Sequence, residues 1–483
     1  VIVLNGTSLT CADVAALGRR ETTAAIGHDG WERAASAAAA ARLAAVSGAV
    51  YGRTTGVGAN RGLAVAGADA STSGLRLIRS HAGGGGPLVT AELGRAMLAV
   101  RANQIAAGGS GVEPGVLGAL ADCVNQGLFP PVPAYGAIGT GDLTALAVTA
   151  LCLRGERDWL PAGSAQVRFE LDPADALAFI SSNAATLGEA AISCHDVSAL
   201  LMASTAIAAL GHIAVGGSDE PYAEPVQRAR PHRGQERVAS QLRTLLAGQQ
   251  QARPRIQDPY GLRALPQVHG PALDSADYAL RVITVDLNAA AENPLIDAAG
   301  QAAWHNGNFH TAYVGLALDA VRAALFQTAA LSAARLATLM EPGYTGLAPF
   351  LATDPVPSSG LMILEYISHS AVADIRRLAA PAALGSAVLS LGVEEHAGFA
   401  TQAARSATSS VGAYQVVLAC ELVAAVRALR LRGAGPAEGP LGPAFAHAAT
   451  MLPEATADRP LDEDLAAAQQ LLPELAAITA AAS

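Results

Sequence analysis

Apolar and polar positions along the chain fall into short turns separated by long, weakly charged runs. A strand-like Val1-Ile2-Val3-Leu4 opens it, and Thr10 stands as a helix cap before Ala12-Asp13-Val14. An alanine-rich helix is predicted from Trp31 to Val46. Tyr51-Gly52-Arg53-Thr54-Thr55-Gly56-Val57-Gly58 then reads as a flexible surface loop, because three glycines lie among small polar residues. Arg101-Ala102-Asn103 falls in a predicted amphipathic helix with its exit turn at Ser110-Gly111-Val112. Ala134 to Leu146 is a Gly-studded loop feeding an apolar helix over 143–155. Glycines at 139 and 141 let that backbone fold back on itself or be approached closely. Leu171-Asp172-Pro173 starts another helix-like segment, and from about residue 190 long helices broken by loops follow. Arg432 to Pro443 is Gly/Pro-rich, and a capping helix with Asp462-Glu463-Asp464 comes last. No repeat of roughly 20 to 50 residues emerges.

Val197 to Gly217 contains no Asp, Glu or Arg and nearly reaches the length that spans a bilayer. It is rich in Ala, Gly and Ser, holds His212 and has no Arg-rich flank, so a buried helix in a bundle is expected. Length changes the picture next: 483 residues allow two or three domains or one large helical body. Apolar residues make up 51 % but aromatics only 4 %, since alanine supplies much of the apolar content, and closely packed helices are implied.

Net charge is −10, so no basic field is present to hold nucleic acid or an anionic membrane. All 31 basic residues are arginine, which excludes a Schiff-base lysine, a pyridoxal-phosphate lysine and a Walker lysine. The five cysteines show no CxxC or metal-ligand spacing and read as buried free thiols in a reducing compartment. Val1 to Gly6 has no basic region before its apolar residues, so a cytoplasmic location is expected.

Residue chemistry leaves several readings open. Tyr51 either anchors its loop or moves a proton from a mobile lid. His81 precedes four glycines, and without lysine that run is a weak phosphate-loop signal. Asn183 is a turn residue or an amide donor to a reacting oxygen. Gln257, Tyr260 and Arg263 read as a buried polar cluster in which Arg263 makes an interhelix salt bridge or offers a planar fork to a carboxylate. Phe309 is core or a pocket wall, and Glu394 is a solvated acid or a site residue in an apolar helix from Leu389 to Phe399.

Gly139-Thr140-Gly141-Asp142-Leu143 resembles the element from which histidine and aromatic amino-acid ammonia-lyases make a methylidene-imidazolone, MIO, with Gly-Thr-Gly in place of Ala-Ser-Gly. Other segments resemble the same family from Leu4 to beyond His396. Tyr51 to Gly58 is similar to its YGxxTGFG loop, Ser80-His81-Ala82 to SHAAGxG, and Arg230 to Gln235 to RPHxGQ. Gln257-Asp258-Pro259-Tyr260-Gly261-Leu262-Arg263 is the most specific downstream match. Glu292-Asn293-Pro294-Leu295 resembles DNPL, Asn306 to His310 resembles the GGNFHG turn, and Val393-Glu394-Glu395-His396 resembles QEDH.

The resemblance implies an all-α fold of the histidine ammonia-lyase type. An N-terminal, mostly helical domain over 1–195 would carry the loop, and 196–483 would form a bundle of long helices. It implies a homotetramer and a small amino-acid substrate, histidine or an aromatic relative, losing ammonia to give an α,β-unsaturated acid. Catalytic roles fall on Tyr51, Gly139, Thr140, Gly141, Asn183 and Tyr260, and substrate contacts on His81, Gln257, Arg263, Phe309 and Glu394. No external cofactor is implied: the electrophile would be an MIO-type ring closed from residues 139–141. Thr140 would leave an ethylidene, whose extra methyl crowds the carbon that the amine attacks. An MIO-less enzyme doing other acid-base chemistry, an aminomutase and a non-catalytic subunit stand as alternatives.

Overall fold

The computed structural model describes residues 1–65, 70–164, 166–249, 255–354, 357–436 and 438–482. Among the described residues helix dominates, and the named strands form three two-stranded pairs. The chain divides into two compact units: Val1–His195 with Ala279–Asp319 and Pro381–Arg405, and Asp196–Tyr278 with Ala320–Ala380 and Ser406–Ser483.

In the first unit, strand Ile2–Leu4 pairs in parallel with Ala24–Ile26. Helix Cys11–Arg19 starts where Thr10 predicts: the Asp13 amide donates to the Thr10 hydroxyl while the Asp13 carboxylate accepts from the Thr10 amide. The alanine-rich helix runs His28–Ser47 and packs Ala37, Ala40 and Ala41 on Ile296 of strand Leu295–Asp297.

Helix Ala91–Ala106 departs from its amphipathic expectation, being buried on every side from Ala96 to Ala106. Alanines and glycine let neighbours close in all round, and the polar residues there are buried because each is paired. Arg101 donates to the Glu292 carboxylate at 2.8 Å and to the carbonyls of Phe179 (3.0 Å) and Ala178 (2.6 Å). Asn103 ties to Leu287 and Asn288, and Gln104 accepts from the Ser182 hydroxyl at 2.6 Å. These bonds fix the 178–183 segment, which in turn holds the central loop.

The second unit is built round a bidentate pair: Arg335 donates to Glu421 at 2.6 and 2.8 Å, with both side chains buried. Arg335 also reaches the Gly261 carbonyl at 3.4 Å, and Tyr222 donates to the Leu262 carbonyl at 3.0 Å. The short helix Tyr260–Arg263 is thereby anchored through its backbone. Helices Leu441–Met451 and Asp462–Ala481 pack together, and Arg459 makes a two-bond pair with Asp464 in the acidic first turn.

Of the apolar stretch expected to form a buried helix, Val197 to Val215 lie in helix Ala184–Val215, which is long and apolar enough by composition to cross a membrane. Its most apolar window is 83 % buried inside the protein. All five cysteines are buried free thiols, and burial pushes Cys11, Cys123, Cys152 and Cys420 up to about 12.

Candidate active site

Strand Pro133–Tyr135 pairs with Gly85–Leu88, after which the chain turns through residues 136–142 into helix Leu143–Arg154. Gly139 and Gly141 lie at φ +86° and +118°, which L side chains rarely adopt. A Cβ on residue 139 would stand 2.8 Å from the Ala400 nitrogen and 2.9 Å from the Phe399 nitrogen. Glycine rather than alanine at 139 is thus demanded by the backbone that crosses it. A Cβ at 141 would meet nothing closer than Leu143 at 3.7 Å.

The turn is held at several points. The Phe399 amide donates to the Ile138 carbonyl at 2.8 Å, and Gln402 donates to the Ala137 carbonyl at 2.9 Å. The Gly139 carbonyl accepts from both the Thr311 hydroxyl (2.8 Å) and the Thr311 amide (3.3 Å). The Gly141 amide donates to the Asn183 side-chain oxygen at 3.0 Å, and the Asn183 nitrogen donates to the Phe309 carbonyl at 2.6 Å. The Asp142 amide donates to the Ser182 carbonyl at 2.7 Å. Asn183, expected as a donor to a reacting oxygen, therefore clasps the loop to the 309 turn, and Phe309 is half-buried beside it.

Asp142 is buried and accepts from the Thr186 amide (2.7 Å) and hydroxyl (2.8 Å). Burial pushes its carboxyl up to about 6, against the pull of the Thr186 donors. It also lines a cavity of about 50 Å³ with Gly136, Ala137, Thr144, Thr186 and Arg405, room for one or two waters.

Tyr51 is half-buried on its loop, where its oxygen accepts the Gly58 amide at 2.7 Å and its own amide donates to His305 at 3.2 Å. Arg53 pins the same loop to Asp175 and to the Gly111 carbonyl. His81 ends helix Ala70–His81 and turns its Nδ1 back to the Leu77 carbonyl at 2.9 Å.

Two expectations need correction. Glu394 is not helical: left-handed backbone at Ser390, Leu391 and Gly392 breaks any helix, and Glu394 bridges to Leu389 in a tight turn. Gln257 and Tyr260 are exposed rather than buried, Tyr260 by 69 %, because the short helix Tyr260–Arg263 lies at the surface of the second unit. The polar association itself is present there. Arg263 donates to Gln257 at 2.9 Å and lies 4.5 Å from the Tyr260 ring centre.

Sequence reasoning passed over three features: Thr311, the burial of Asp142, and a histidine pair in which His310 Nε2 lies 2.9 Å from His396 Nδ1. No local pattern links residues 86 positions apart. The one signal was that both family-like segments around the loop end in histidine. The pair ties together the segments that carry Thr311 and Phe399, two clamps of the turn.

Burial and the neighbouring His396 hold His310 below its ordinary 6.5. The unfolded chain therefore protonates this position first as pH falls, so the stability carried by His310 is present above 6.5 and lost below it. Melting temperature is expected to fall more steeply between about pH 7 and pH 5 in the wild type than in His310→Gln. Parallel curves for the two proteins would contradict this.

The helical fold is the one shared by histidine ammonia-lyase and the aminomutases. The chain matches the aromatic amino acid lyase family over residues 9–451 and belongs to it, a family of carbon–nitrogen lyases. It is 36 % identical to the histidine ammonia-lyase of Sorangium cellulosum, over 99 % of this chain and 98 % of that one. Among solved structures it is similar to histidine ammonia-lyase from Trypanosoma cruzi, with TM-score 0.91, 26 % identity and coverage of 99 % and 95 %. It is similar too to tyrosine aminomutase from Streptomyces globisporus, with TM-score 0.92, 27 % identity and coverage of 100 % and 99 %.

Proposed function

We propose that this chain eliminates ammonia from histidine or a related aromatic L-amino acid through an electrophile closed from Gly139-Thr140-Gly141. The observation that carries the reading is the grip on that turn. Two donors sit on the Gly139 carbonyl, the Gly141 amide is aimed by Asn183, and a hydroxyl stands between them on Thr140. The residues fit the group: both glycines hold the positive φ the turn needs, and a Cβ at 141 would make only ordinary contact with Leu143 at 3.7 Å. Once closed, an imidazolone ring supplies the electrophilic carbon that activates the substrate amine as a leaving group.

The chain's own residues supply the rest. Tyr51 takes the β-proton, its oxygen oriented by the Gly58 amide and its lid pinned by Arg53. Arg263, braced by Gln257, clamps the substrate carboxylate, and Tyr260 presents its phenol beside it. His81, Phe309 and Glu394 meet the substrate side chain. We further propose a homotetramer in which residues 257–263 of one copy serve a neighbouring copy's loop. Exposed Tyr260, Tyr313, Leu316 and Tyr366 support this, as does the apolar window of helix Ala312–Met340, only 50 % of which is buried within one chain.

The test is to incubate the purified protein with L-histidine, L-tyrosine and L-phenylalanine, following unsaturated-acid absorbance and ammonium release. Product from at least one is expected, and none from any would overturn the reading. The likeness to a tyrosine aminomutase favours a second reading, in which ammonia is returned at the β-carbon. A β-amino acid in the same reactions would establish it. Thr140→Ser removes the crowding methyl, so turnover is expected to rise about tenfold, or about 1.4 kcal/mol of barrier. Unchanged turnover would mean that the methyl does not meet the amine.

A further inference from the structure

We infer that Thr311 is a positioning residue for ring closure, acting on the Gly139 oxygen that must leave; the inference rests on the ring-closing reading above. Closure joins the Gly141 nitrogen to the Gly139 carbonyl carbon. The Gly139 oxygen departs as the first water, carrying the amide protons of Gly141 and Thr140 and leaving a carbon–nitrogen double bond. The second water takes the Thr140 hydroxyl and its Cα proton. The first step therefore builds negative charge on the Gly139 oxygen.

That oxygen sits in a two-donor cradle. Thr311 offers its hydroxyl at 2.8 Å and its amide at 3.3 Å, and the side chain is 3 % exposed, so water does not compete. Buried donors aimed at developing charge act as an oxyanion hole does, here on the protein's own backbone. At the other end of the forming bond, Asn183 fixes the Gly141 amide at 3.0 Å.

Residues 139 and 311 are also matched in shape. A Cβ on 139 would lie 2.9 Å from the Thr311 hydroxyl oxygen, so the missing methyl makes room for the donor. Thr311 follows the Asn306 to His310 turn at the place where the resembling GGNFHG motif ends in glycine. The hydroxyl and the bare glycine thus depart from the motif together, at two positions 172 residues apart.

The experiment follows dehydration of the peptide containing residues 139–141 by mass spectrometry, in full-length protein sampled over time after cell-free synthesis. Wild type, Thr311→Ser, Thr311→Val and Thr311→Ala are compared, with melting curves to show folding. Wild type and Thr311→Ser are expected to lose two waters. Thr311→Val is expected to close about a hundredfold more slowly, and Thr311→Ala takes its place if valine prevents folding. A folded Thr311→Val or Thr311→Ala that dehydrates as fast as wild type overturns the role of Thr311 while leaving ring closure standing. Wild type that stays at full mass overturns both.

Discussion

Thr140→Ala is expected to lower ammonia elimination by about a thousandfold or more, about 4 kcal/mol of barrier, with melting behaviour unchanged. Ring formation needs a leaving hydroxyl on residue 140, and alanine has none. The backbone would not object, because the positions that require positive φ are the flanking glycines at +86° and +118°, which the substitution does not touch. Without the electrophile, the amine has no route to becoming a good leaving group, whatever Tyr51 and Arg263 do. Steady-state assays on the best substrate would check this. A variant with near wild-type turnover would show that the pocket works by acid-base chemistry independent of a ring.

Arg101→Met is expected to destabilise the protein by about 3–5 kcal/mol, the range for removing one partner of a buried ion pair. Arg101 and Glu292 are both nearly inaccessible, and burial already pushes the Glu292 carboxyl up while Arg101 pulls it back. Loss of the guanidinium also frees the carbonyls of Ala178 and Phe179, and so loosens the segment bearing Ser182 and Asn183. Activity should fall with stability. Arg101→Lys should rescue little, since one ammonium cannot reproduce a planar fork serving three acceptors. Denaturant titration followed by activity at matched folded fraction separates the two effects, and a loss under about 1 kcal/mol would contradict the account.

How much of this was legible in the sequence follows from the range of the interactions. Thr10 with Asp13, the loop at Tyr51 and the glycine turn before Leu143 were readable because each rests on residues within a few positions. The immersion of Ala91–Ala106 was not. Alanine and glycine carry weak hydrophobic contrast, so a helix buried on all sides looks half-polar when it holds Arg101, Asn103 and Gln104. Glu394 misled because its apolar neighbours suggested a helix, whereas the left-handed turn at Ser390 and Leu391 has no strong local signature in those residue types.

The candidate site was legible through Gly139, Thr140, Gly141 and Asn183, and the structure joins Gly141 to Asn183. Its clamps were not, because Thr311, by its hydroxyl and amide, and Phe399, by its amide, reach the loop from 172 and 261 residues away. Tyr260 and Arg263 were readable as a pair, but their exposure depends on what covers the second unit's surface, and that lies beyond any single chain's pattern.

The measurement that tests the central claim most directly is the intact mass of the purified wild-type protein, with peptide mapping across residues 139–141. The account predicts a deficit of two waters confined to that peptide. Full unmodified mass in folded protein would contradict it, and would place the chemistry of this family member in side chains alone.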